Sequence, residues 1–132
     1  VIALDTNVLV RFLVEDDPEQ GRQAKAMLQR AIAANSPCFV SEVVVCEVVW
    51  VLGTSYQVGR EEIARVLRQL LRARHLTFPE GERLARALSA FDTGRGDFAD
   101  YLIREAAREA GCEAVATFDR GLLREPGFVA PS

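Results

Sequence analysis

Apolar and polar positions along the chain follow two rhythms: short unbroken apolar runs, and longer stretches with apolar residues three and four apart. The runs Val1-Ile2-Ala3-Leu4, Pro37-Cys38-Phe39-Val40, Leu76-Thr77-Phe78, Ala114-Val115-Ala116-Thr117 and Phe128-Val129-Ala130 read as short strands. Between them the spacing predicts helices. One begins near Asn7. A second, over residues 18 to 34, opens on Asp17-Pro18-Glu19-Gln20 with a cap, a first-position proline and a glutamine three past the cap, and carries Ala24, Met27, Leu28 and Ala31 on one face. Ser41 caps a third that ends near Gly53. A fourth, over 61 to 73, aligns Ile63, Val66, Leu67, Leu70 and Leu71. Pro79 opens a fifth running to about Phe91, and a sixth runs from about Phe98 to Ala110 and stops at Gly111. Short strands alternating with helices imply an α/β fold whose parallel sheet is covered on both faces.

The third helix holds the most informative residue. Glu47 stands alone in Val43-Val44-Val45-Cys46-Glu47-Val48-Val49-Trp50-Val51-Leu52, where every other side chain is apolar. Such a run is expected in a core, and a carboxylate placed there must be neutral, paired with a cation or bound to a metal. The blander readings are a buried arginine partner or a position on the helix rim. Other acids fall where strands end. Asp5 follows the first run and Asp119 the fourth, the position at which ligands bind in parallel sheets. Asp97 and Asp100 open the sixth helix on one face. Each has an ordinary structural reading: Asp5 as a helix cap, Asp97 with Asp100 as a capping arrangement, Asp119 as a turn residue.

At 132 residues the chain is long enough for one domain with a conventional core. Cys38, Cys46 and Cys112 are odd in number and widely spaced, which argues against disulfides or a zinc site and for a reducing compartment, so a cytoplasmic protein is expected. No run approaches membrane-spanning length and no signal-peptide pattern opens the chain; Val1 in place of Met suggests trimming or a partial chain. Net charge is −3. Of the 16 basic residues 15 are arginine, with Arg60, Arg65, Arg68, Arg72 and Arg74 in one stretch, a content that permits phosphate contact without requiring it. Val10, Phe12, Leu13 and the helix over 61 to 73 are expected to offer apolar surface to a partner.

Carboxylates gathered together repel, and a hard divalent cation offsets that repulsion. Mg²⁺ or Mn²⁺ suits oxygen ligands, whereas zinc favours cysteine or histidine. His75 is the one histidine, so no Ser/His/Asp triad surrounds the acids, and no Walker-type glycine loop is present. Carboxylates, a cation and water remain, the chemistry of metal-dependent nucleases and phosphatases. A phospho-receiver would need a lysine at the end of a late strand, yet Lys25 lies in the second helix. An aspartyl phosphatase would place Asp where this chain has Asn7. A non-catalytic RNA-binding or interaction module on the same fold is the runner-up.

Four motifs in order, Leu4-Asp5-Thr6-Asn7-Val8-Leu9, Ser41-Glu42-Val43-Val44-Val45-Cys46-Glu47, Asp97-Phe98-Ala99-Asp100-Tyr101-Leu102-Ile103 and Ala116-Thr117-Phe118-Asp119-Arg120, resemble those of PIN-domain ribonucleases of the VapC toxin type. The resemblance covers essentially the whole chain. It implies an α/β/α sandwich on a parallel sheet of about five short strands, with Mg²⁺ or Mn²⁺ held by Asp5, Glu47, Asp100 and Asp119. Asp97 is implied as an additional metal-site acid, and Thr6, Asn7 and Ser41 as supporting polar residues. It also implies RNA as substrate, a cognate antitoxin as partner and a homodimer.

Overall fold

A computed structural model describes residues 1–131. Its contacts divide the chain into two compact units, Val1–Glu80 and a second from Gly81 onward.

The first unit contains α1 (Thr6–Leu13), α2 (Pro18–Ala33), β1 (Cys38–Phe39), α3 (Glu42–Thr54), α4 (Arg60–Arg72) and β2 (Leu76–Thr77). Three of these four helix starts are written in the sequence as side-chain caps. Asp5 accepts the Thr6 N–H, Asp17 accepts the Gln20 N–H with Pro18 just inside, and Ser41 accepts the Val44 N–H. α1 packs on α2 and on α3, and α3 on α4. α4 buries Ile63, Ala64, Leu67 and Leu70, the face its periodicity predicts, and displays Glu61, Glu62 and Arg65. Each buried leucine contributes about 1.5–3 kcal/mol, so a charge at Leu67 would detach the helix. β1 and β2 pair in parallel, Cys38 opposite Leu76 and Phe39 opposite Thr77.

The first apolar run forms less strand than expected. It makes an isolated parallel bridge between Ala3 and Phe39, carried by Leu4 N–H to Phe39 O at 2.9 Å and Phe39 N–H to Ile2 O at 2.8 Å. Other boundaries differ as well, the strands being shorter than the apolar runs. Phe78 lies outside β2, and the fifth helix starts at Gly81 instead of Pro79, because Pro79 and Glu80 form the turn that precedes it.

The second unit contains α5 (Gly81–Thr93), α6 (Phe98–Glu109), β3 (Val115–Ala116), a 3₁₀ turn (Leu122–Arg124) and β4 (Phe128–Val129). α5 packs along α6, with Phe91 and Phe98 edge to face at 6.1 Å. β3 and β4 are parallel, Val115 opposite Phe128. Charge enters this core. Glu105, 4% exposed, accepts from Arg86, Arg104 and Arg108, and Arg104 also donates to Pro126 O at 2.9 Å and lies over the rings of Tyr101 and Phe128. A buried carboxylate is tolerated there because three guanidinium groups and their hydrogen bonds replace its hydration. Six helices alternating with short parallel strands, among the described residues, bear out the α/β class; in place of the one sheet of about five strands expected, the strands form two parallel pairs, β1 with β2 and β3 with β4, and one isolated bridge.

Candidate active site

In the first unit the site is built where α1 begins. Asp5 is exposed and caps α1, its Oδ1 accepting the Thr6 N–H at 2.8 Å. Thr6, 7% exposed, turns its hydroxyl the other way and donates to Glu47 Oε1 at 3.0 Å. One buried threonine therefore ties the start of α1 to the middle of α3 and brings together two of the sequence-predicted acids. Ser41 supports the pair indirectly by capping α3, the helix that carries Glu47. Asn7 is exposed on α1, where with Arg11, Gln20 and Met27 it lines a cavity of about 310 Å³.

The expectation that Glu47 lies in a core is overturned. Its side chain is on the exposed face of α3, in a stripe with Val43 and Trp50, both 67% exposed, while Val44, Val45, Val48 and Leu52 fill the buried face. The rim position answers the desolvation argument: no buried charge exists to be neutralised. Composition misled because α3 is apolar on both faces, so the identity of its residues does not mark which face packs. Val10, expected at a partner surface, lies instead in the core at 1% exposure, with Phe12 and Leu13 half-buried. The apolar face of α4 is likewise buried within its own unit. Exposed apolar surface lies instead at Val43, Trp50, Ile103 and Phe118.

In the second unit the acids gather at the start of α6. Asp97 N–H donates to Asp100 Oδ2 at 2.9 Å, the capping arrangement expected as the bland reading. Asp119 organises its own turn, its Oδ1 accepting from Gly121 N–H at 2.8 Å and Leu122 N–H at 3.3 Å. Each bond engages one carboxylate oxygen and leaves the other for a different ligand. Burial pushes the Asp100 carboxyl above its ordinary range; the Asp97 N–H pulls it back, and the negative charges of Asp97, Asp119 and Glu125 push it up further. Asp97 and Asp119 are thus each within electrostatic reach of Asp100.

Sequence reasoning missed Glu125 and Tyr101. The Tyr101 hydroxyl, fully buried, donates to Glu125 at 2.6 Å and accepts the Gly96 N–H at 2.8 Å. Burial and the Glu125 bond raise its pKa. A Cβ at Gly94 would stand 2.0 Å from that hydroxyl, so only glycine lets the loop before α6 lie against it. The two glycines of Gly94-Arg95-Gly96 are the available signal in the sequence.

Among the described residues no three His, Cys, Asp or Glu side chains form a closed metal-binding group. The donors present still fit Mg²⁺ or Mn²⁺, which bind through one or two carboxylates and retain water. The carboxylate crowding that raises the Asp100 pKa is charge a divalent cation would offset. Cys46, beside Glu47, has its thiol pKa raised by burial and by Glu42, which keeps it protonated and unsuited to a soft metal.

A parallel α/β arrangement carrying these acids in this order defines a class, and comparison with known families gives it a name: the chain matches the PIN domain over residues 2–128 and belongs to that family. It is also similar to the VapC ribonuclease of Aquifex aeolicus (strain VF5), 26% identical over 117 residues that cover 89% of this chain and 86% of the relative. No helix among the described residues is long and apolar enough to cross a membrane.

Proposed function

We propose that the protein is a metal-dependent endoribonuclease acting as the toxin of a toxin–antitoxin pair, with Asp5, Glu47, Asp100 and Asp119 holding Mg²⁺ or Mn²⁺ and Asp97 assisting. The observation that carries this reading is the Thr6–Glu47 hydrogen bond, which costs a buried hydroxyl its freedom in order to fix an exposed carboxylate beside Asp5. A surface glutamate with no task gains little from such a bond. The PIN match runs over residues 2–128, a span that includes the positions of all four acids, and the VapC relative is named a ribonuclease.

A bound divalent cation would activate water and offset charge on the phosphate oxygens. The chain's own groups prepare that chemistry. Thr6 orients Glu47, the Asp97 N–H orients Asp100, and the Gly121 and Leu122 N–H groups orient Asp119, so the carboxylates are set before substrate arrives. An antitoxin covering the acids and a homodimer complete the proposal. A small DNA-binding protein encoded immediately upstream would support the toxin role, and sedimentation from micromolar to near-millimolar protein tests the dimer, monomer throughout counting against it.

Cleavage of a single-stranded RNA in Mg²⁺ or Mn²⁺ tests the enzyme. Wild type cuts and Asp5→Asn does not; equal cleavage by both rejects the assignment.

A further inference from the structure

We propose that Trp50 and Phe118 are nucleobase-stacking residues that hold unpaired RNA bases beside the acids; the inference rests on the ribonuclease reading above. The chain has ten aromatic side chains, seven Phe, two Tyr and one Trp. Among the described residues only two of them are exposed, Trp50 at 67% and Phe118 at 88%. Each stands next to a site acid. Trp50 follows Glu47 by one turn on the same face of α3, and Phe118 immediately precedes Asp119.

Both rings are presented on fixed supports. The opposite face of α3 is packed through Val44, Val45, Val48 and Leu52, so Trp50 projects from a rigid helix. Phe118 sits at the tip of a tied turn: Asp119 N–H donates to the Thr117 hydroxyl at 3.0 Å, and the Asp119 carboxylate accepts from Gly121 and Leu122. Preorganised rings lose little freedom when a base stacks on them. Single-stranded RNA supplies the matching chemistry, since its splayed bases offer π-faces whatever their identity. Stacking also requires no positive charge, which suits a chain of net charge −3 that must bring a polyanion to its own carboxylates. Val43 and Ile103 are exposed too, but have no π-face.

The single tryptophan makes the contact readable. With Asp5→Asn protein in Mg²⁺, a single-stranded oligoribonucleotide should quench Trp50 emission, and an abasic oligomer of the same length and charge should not. In otherwise wild-type enzyme, Trp50→Ala and Phe118→Ala should each raise KM about 5- to 100-fold with a smaller change in kcat, and Trp50→Phe should keep most of the affinity. Unchanged KM in both alanine variants while wild type cleaves RNA overturns stacking and leaves the nuclease standing. Quenching by RNA that wild type fails to cleave supports stacking and rejects the nuclease. An emission blue shift caused by protein concentration alone, with no response to RNA, assigns the Trp50 face to a protein contact and overturns the inference there.

Discussion

Glu47 and Asp100 are both exposed enough to meet a ligand, yet they are held by opposite means. Glu47 accepts from a neutral hydroxyl contributed by another helix. Asp100 is held by a backbone N–H three residues away and is pushed up first by burial and then by the charges of Asp97, Asp119 and Glu125. The first arrangement spends a long-range bond on orientation. The second leaves an anion disfavoured by burial first and by neighbouring negative charge after it. Orientation and charge are separate properties of a carboxylate, and Glu47 and Asp100 illustrate one each.

The largest effects should come from removing the acids themselves. Asp5→Asn, Glu47→Gln and Asp100→Asn should each lower cleavage by about 100-fold or more, because a direct ligand should matter at least as much as the groups that orient it. Full activity in any one of them removes that residue from the site. Next is the orienting bond. Thr6→Val keeps shape and burial but loses the donor, and should cost about 10- to 100-fold in cleavage or metal affinity, with Thr6→Ser restoring most of it. Loss of melting temperature without loss of metal affinity would make Thr6 a packing residue only.

The helices and the acids at strand ends were legible in the sequence because caps and periodicity are local: Asp17-Pro18, Ser41 and the spacing of Ile63, Leu67 and Leu70 each specify an outcome within a few residues. The facing of α3 was not legible. Valines on both faces, with Trp50 on the exposed one, erase the contrast that marks a buried stripe, so the exposure of Glu47 emerges only from how α3 packs on α1 and α4. The Thr6–Glu47 bond spans 41 residues and the Tyr101–Glu125 bond 24, separations at which one sequence carries no pairing signal. The bland readings of Asp5, Asp97 with Asp100, and Asp119 are all present as caps and turns. A capping bond engages one oxygen, so such a role and a ligand role are compatible.

A smaller effect is expected at Tyr101. Tyr101→Phe removes the donor to Glu125 and the acceptor of the Gly96 N–H, and should lower stability by about 1–3 kcal/mol in urea unfolding. No change would mean that the loop before α6 is held by packing alone. The smallest effect is one of pH. A raised Asp100 pKa means that its ionised form is disfavoured in the folded state, so the penalty exists above the unfolded value near about 4 and vanishes below it. In chelator, Asp100→Asn, which keeps an acceptor for the Asp97 N–H, should melt slightly above wild type at pH 7 and level with it below about pH 4. A variant that melts lower at pH 7 would show that the cap outweighs the repulsion.

The most direct measurement is RNA cleavage by the wild-type chain as EDTA and then Mn²⁺ are titrated in, with Asp5→Asn in parallel. Wild type should lose cleavage as free metal disappears and recover it when Mn²⁺ exceeds chelator, and Asp5→Asn should stay inactive throughout. Undiminished wild-type cleavage in excess EDTA would contradict a carboxylate metal site.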